Sequence, residues 1–171
     1  QRMEKARNAA GEAVRLSRVA YGDDHPRTAI ALVESADLHD WDGRGEDAVP
    51  AYREAIAILD RSLGPEHGRT LDARNNLAVT LRHLGELDGS EAVHRELLGI
   101  WRGKREGPDR EVADALQNLA VVLQERGALA EAERHLAEAR ATYDAVLGSA
   151  PYLRPFPRLT LPSARPDRGA S

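Results

Sequence analysis

Cysteine is absent from the 171 residues, which removes disulfides and thiolate metal sites. Aromatic residues are only 4%, and no apolar run approaches the 18 residues that a membrane-crossing helix needs. No basic-then-apolar leader is visible, so no secretory signal is read, and a cytoplasmic location is expected. Lysine is nearly missing: Lys5 and Lys104 stand against 22 arginines, a bias that accompanies GC-rich coding sequence. A basic balance is missing too. The net charge of −4 argues against direct nucleic-acid binding, which needs a positive face for phosphates. Strand-like alternation of useful length does not occur. What is present is one domain's length of chain, 42% hydrophobic and 30% charged. It starts at Gln1, which reads as a piece of something longer.

The chain repeats itself at a shift of 42 residues. Gly22-Asp23-Asp24-His25-Pro26-Arg27-Thr28 aligns with Gly64-Pro65-Glu66-His67-Gly68-Arg69-Thr70. Asn76-Leu77-Ala78-Val79 aligns with Asn118-Leu119-Ala120-Val121. Gly43, Gly85 and Gly127 share a register, as do Gly22, Gly64 and Gly148, with Glu106 as the exception. Each period reads as two amphipathic helices. Leu77, Leu81 and Leu84 form one stripe of a first helix, and Leu116, Leu119, Ala120 and Leu123 another. Ala48, Tyr52, Ala55, Ile56 and Leu59 line a second helix. Pro50 is expected in that helix's first turn, where its missing N–H is harmless, and Gly64 and Gly148 just past helix ends in left-handed conformation. Helices are expected over roughly 26–41, 46–62, 68–83, 88–104, 110–125 and 130–147, after an opening helix over roughly 3–20. The opening helix aligns with the second helix of each unit, so the chain starts in mid-repeat.

Close helix packing needs small residues at the crossing points. They recur at Ala36, Ala78 and Ala120, at Ala48, Ser90 and Ala132, and at Ala55, Leu97 and Ala139, with the larger Tyr52, His94 and Leu136 between them. This pattern resembles the tetratricopeptide repeat. The 42-residue length, Leu63-Gly64-Pro65-Glu66-His67 and Asn75-Asn76-Leu77-Ala78 are similar to the long repeats of kinesin light chains and many bacterial regulators. The resemblance covers about residues 1–148 and implies an all-α, right-handed solenoid of about three and a half helix pairs. Arg74 replaces a usually apolar residue, Leu97 a small one, and Glu34 stands where the other units have Asn76 and Asn118. HEAT-like repeats, of similar length, lack the Gly turn and the small-residue spacing.

The resemblance further implies that Asn76 and Asn118 point into a concave groove and hydrogen-bond a peptide backbone. An amide both donates and accepts, so it can hold an extended chain without reading its sequence. Same-face candidates are Asp72, Asn75, Val79, Arg82 and His83, then Asp114, Gln117, Val121 and Gln124, with Val33, Asp37, Asp40 and Trp41 in the first unit. Trp41 has the character of an aromatic anchor. A plainer reading stands beside this one: the asparagines bond neighbouring helices, and Trp41 packs on the next turn. Asp37, His39, Asp40 and Asp42 lack the spacing of a metal site, and no metal or other cofactor is expected. His25 and His67 sit at equivalent turns and read as helix caps. No nucleophile–base set, Walker A motif or GxGxxG occurs, so no enzyme is expected.

Residues 149–171 form a Pro/Arg-rich tail with five of the nine prolines. Arg154, Arg158, Arg165 and Arg168 against Asp167 give it a charge of +3, which leaves −7 on residues 1–148. It is expected to lie extended on helical surface, in its own chain or a neighbour's groove, anchored by Phe156 and Leu159 with Arg154 or Arg158 near carboxylates. A cap over the last helix is the plainer reading. The function expected is a non-catalytic protein-binding module that holds an extended peptide or partner segment. The alternative is a sensor segment of a larger regulatory protein, such as a nucleotide switch or transcriptional regulator. Self-association is expected at the opening helix, whose Ala13, Val14 and Leu16 lack a cover on one side, or through the tail.

Overall fold

The structure, a computed structural model, describes residues 2–104 and 109–148. These form seven helices: α1 (Arg2–Tyr21), α2 (Pro26–Trp41), α3 (Gly45–Ser62), α4 (Gly68–His83), α5 (Leu87–Lys104), α6 (Arg110–Glu125) and α7 (Leu129–Gly148). No strand occurs among the described residues. Each helix packs on its neighbours in the chain, and α2 also meets α4, so helix pairs stack in line. The architecture is an all-α solenoid of tetratricopeptide type, with α2–α3, α4–α5 and α6–α7 as its pairs and α1 as the half unit.

The 42-residue register is carried by turn chemistry that recurs in each pair. Between first and second helices, Gly43, Gly85 and Gly127 adopt φ of 73°, 78° and 82°, where a side chain would be strained. The residue after each glycine donates its N–H five residues back, from Arg44 to His39, Glu86 to Leu81 and Ala128 to Leu123, each at 2.9 Å. This closes the carbonyls at each helix end. The first helices are capped at their starts in one register. His25 Nδ1 accepts from the Arg27 N–H, His67 Nδ1 from Arg69 and Asp109 Oδ1 from Glu111, at 3.1, 3.2 and 3.0 Å. The two histidines are caps, as the sequence implies, and Asp109 completes the series. Thr28 and Thr70 add equivalent hydroxyl bonds to the Gly22 and Gly64 carbonyls.

Two local expectations are corrected. Pro50 is the sixth residue of α3, beyond the first turn whose N–H groups are free. It offers no donor to the Glu46 carbonyl, and it is tolerated on an exposed face. Gly148 is the last helical residue of α7 and has no left-handed φ, unlike Gly22 and Gly64 at φ 93° and 99°. Gly148 is therefore itself helical where the other two glycines of its register turn.

The small residues do what close packing requires. Ala36, Ala78 and Ala120 are wholly buried, as are Ala48, Ser90 and Ala132. Gly45 lies in the same close contact: a Cβ there would lie 3.0 Å from Leu84 Cδ2 and 3.2 Å from Thr80 Cγ2, so these side chains would have to give way. The core divides along the solenoid. Leu116, Leu119 and Leu123 of α6 cluster with Leu98 of α5 and Ala132 and Ala139 of α7. Separate clusters join α2, α3 and α4 around Leu32, Ile58 and Leu59 and around Tyr52, Leu77 and Leu81. At the opening edge, α1 has no buried residue. Val14 packs against the first of these clusters, while Leu16 and Val19 are 52% and 76% exposed.

Candidate functional site

First helices lie side by side on one face, tied by side chains across the repeats. Asn76 Nδ2 of α4 donates to Asp37 Oδ1 of α2 at 3.1 Å, and Asn118 Nδ2 of α6 donates to Asn75 Oδ1 of α4 at 3.0 Å. Both asparagines thus bond neighbouring helices. Each bond spends a single N–H, and an amide has a second N–H and a carbonyl oxygen besides. Second helices are tied on the opposite side by ion pairs such as Arg18–Glu54 and Arg95–Glu131, both 2.8 Å. Exposed pairs like these contribute little stability singly, so the apolar clusters hold the stack.

Two clefts open on the first-helix face and meet at Asn76. The larger, about 480 Å³, is lined by Asp72, Asn75, Asn76, Gln117 and Asn118, with Asp114 and Glu111 beside them. Leu71, Leu97, Ala115 and Trp101 supply its apolar surface. The smaller, about 300 Å³, is lined by Asp37, Asp40, Trp41, Tyr52, Asn76 and Val79. Among the described residues, neither lining includes a lysine, arginine or histidine.

Hydroxyl–carboxylate bonds position the acidic residues. The Tyr52 hydroxyl of α3 donates to Asp37 Oδ1, so that oxygen accepts from both Tyr52 and Asn76. Burial first, and Asp37 second, hold the Tyr52 hydroxyl protonated far above the usual tyrosine range. Tyr143 of α7 donates to Asp114 in the same way, and its pKa is pushed up to about 12 by burial and then by that carboxylate. Both aspartates keep their positions because a second helix reaches across to hold them.

Not every candidate lines a cleft. Arg82 donates to Glu125 at 2.7 Å and also approaches His83 Nε2, 3.1 Å away, while His83 Nδ1 lies 3.4 Å from Asp40 Oδ2. These four residues link α2, α4 and α6 near the ends of the helices. Val121, Val33 and Gln124 line neither cleft. Trp41 is 81% exposed, so it does not pack on the next turn. Asp37, Asp40 and Asp42 have separate partners, Asp42 being paired with Arg7 of α1. Phe156, Leu159, Arg154 and Arg158 lie outside the described residues.

Trp101, Leu97 and Leu71 were not among the candidates. Trp101 belongs to α5 and shares a register with Leu59 and Tyr143. It is half-buried, with Lys104 Nζ 4.8 Å from its ring centre. Leu97 stands where Ala55 and Ala139 stand in the other pairs, and its extra volume gives the larger cleft apolar lining. The other departure, Arg74, is satisfied elsewhere: it holds both oxygens of Asp60 at 3.0 Å and also pairs with Glu96.

Stacked helix pairs with a lined face of this kind define a repeat scaffold for protein–protein interaction. The tetratricopeptide repeat model matches residues 31–103 and 70–145, and the chain belongs to that family. BtubC (BKLC) from P. vanneervenii has a similar structure, with a TM-score of 0.78 and 23% identity over 94% of this chain and 64% of that one. The chain therefore spans just under two thirds of that relative's length. A Podosopora anserina protein described as kinesin light chain, with nearly identical TPR-like repeats, gives a TM-score of 0.75 at 19% identity, covering 84% of this chain and 68% of that one. At these identities the likeness is one of fold. No curated protein matches the chain in sequence. Scaffolds of this family bind protein partners and are typically non-catalytic. No helix among the described residues is long and apolar enough to cross a membrane.

Proposed function

We propose that the first-helix face binds an extended polypeptide segment rich in basic and apolar side chains. The observation that carries this reading is the lining of the two adjoining clefts. Amides from Asn75, Asn76, Gln117 and Asn118 stand beside carboxylates from Asp37, Asp72 and Asp114, and among the described residues no basic side chain lines either cleft, Arg110 flanking Asp114 at 3.7 Å. Amides suit a peptide backbone, whose N–H and C=O groups both need partners. Carboxylates suit arginine or lysine, and they would repel a phosphate backbone, which favours a protein ligand over nucleic acid. Trp41 and Trp101 offer rigid aromatic surface, one in each cleft. The existing bonds of Asn76 and Asn118 to α2 and α4 support the reading, because they fix the amides before a ligand arrives.

The test uses fluorescein-labelled peptides that alternate arginine with leucine or phenylalanine, read by anisotropy. Replacing Asn76 and Asn118 together by alanine should cost about 1 kcal/mol per lost ligand bond, hence roughly 30-fold in affinity. The helical circular-dichroism signal should not change, since both residues sit at the surface of their helices. Unchanged affinity in the double variant would show that the peptide, if bound, lies elsewhere.

A further inference from the structure

The larger cleft pairs an acidic rim with an apolar floor, and the chain beyond Gly148 has the opposite composition. That segment carries four arginines against Asp167, and Tyr152, Leu153, Phe156 and Leu159 fall between its prolines. The charge divides as +3 on residues 149–171 against −7 on residues 1–148. The two features also lie at one end of the solenoid. Tyr143 of α7 donates to Asp114, and Asp114 lines the cleft. Gly148 follows Tyr143 by five helical residues, about 7.5 Å along the axis. An extended chain covers roughly 3.3–3.6 Å per residue, so Arg154 can stand as far as about 20 Å from Gly148. The span from Gly148 to the cleft is thus within reach of the first several residues of the segment.

We infer that the segment after Gly148 is an intramolecular ligand of the larger cleft, which it occupies until a partner polypeptide displaces it. The inference rests on the groove reading above and names the first occupant of that groove. Phe156 is the apolar anchor, set against Trp101 and Leu97, with Leu159 following along the floor. Arg154 and Arg158 face Asp72 and Asp114. Exposed ion pairs contribute little, so the charges orient the segment and Phe156 decides whether it stays. Its prolines reduce the ordering cost of an extended conformation. Tethering raises its effective concentration to the order of millimolar, so even a weak peptide is mostly bound in its own chain.

The experiment keeps the full chain. A fluorescein-labelled peptide of residues 149–168 is titrated with the wild-type chain and with a chain carrying Arg154→Glu, Phe156→Ala and Arg158→Glu. The labelled peptide should bind the substituted chain at least tenfold more tightly, because its cleft is vacated. In a Trp41→Phe background, where Trp101 is the remaining tryptophan, the same substitutions should increase acrylamide quenching. Equal affinity of the peptide for both chains overturns the inference, as does binding to neither. Quenching that depends on protein concentration places the segment in a neighbouring copy and overturns its intramolecular form. The arginine–leucine peptides test the groove independently. If they bind while the 149–168 peptide does not, only the present inference falls; if neither binds, the groove reading falls with it.

Discussion

On acidification from pH 7 to pH 4 the solenoid should lose about 3 kcal/mol of stability through one side chain, His94. This residue occupies the register of Tyr52 and Leu136, between helices, and is 1% exposed. Its Nδ1 has no hydrogen-bond partner among the described residues. Burial first, and the Arg82 guanidinium second, lower its pKa from 6.5 to about 4. The unfolded chain therefore takes up a proton below about pH 6.5 while the folded one resists until about pH 4. Over that window the unfolded state binds more protons, so stability falls as pH falls, and the loss is absent above pH 6.5. His94→Leu places the Leu136 side chain's shape in the same register and removes the titration. Urea unfolding at pH 7 and pH 4 should show a wild-type loss larger than the variant's by about 3 kcal/mol. Equal losses would mean that His94 is solvated or charged in the folded state.

Leu119→Ala should cost about 3 kcal/mol, within the range seen for wholly buried leucines. Leu119 has no exposed surface and sits in the cluster that joins α5, α6 and α7. That cluster is separate from those of α2–α4, and helices touch chiefly their chain neighbours. In such a linear stack the damage stays near its source. Native-state hydrogen exchange should show lost protection across α6 and α7, while α2 and α3 keep most of theirs. A uniform loss along all helices would contradict the division of the core, because it would make the stack a single cooperative unit.

The fold was legible because one period governs several independent signals. Gly43, Gly85 and Gly127 mark the turns, the alanines at 36, 78 and 120 mark the crossings, and the observed bounds of α2, α4 and α6 coincide with the expected ranges. The misreadings came where a residue's meaning depends on its distance from a helix start or end. Pro50 looked like a first-turn proline, but α3 begins a residue earlier and carries it into the second turn. Gly148 shares a register with Gly64, but it is still a residue of α7.

The site was legible only in part. Asn76 and Asn118 fall on the first-helix face by register, and so do Asp72, Asn75 and Gln117. Their partners were not readable, since Asp37 and Asn75 are reached across a repeat boundary whose geometry no local pattern encodes. Arg82 and His83 share that face, yet they are spent on Glu125 and Asp40. Trp101 was missed for the opposite reason. It comes from a second helix, and only the stacking of α5 between α4 and α6 brings it to the cleft.

The central claim is that the first-helix face is the binding surface. Its most direct test is a hydrogen-exchange footprint of the chain carrying Arg154→Glu, Phe156→Ala and Arg158→Glu, whose larger cleft is vacated, with and without a saturating arginine–leucine peptide. Protection should rise in α2, α4 and α6, strongest around Asp72–Asn76 and Asp114–Asn118, and stay unchanged in the middle of α3 and α7. Protection confined to α3, α5 and α7 would contradict the account, because it would place the ligand on the opposite side of the stack.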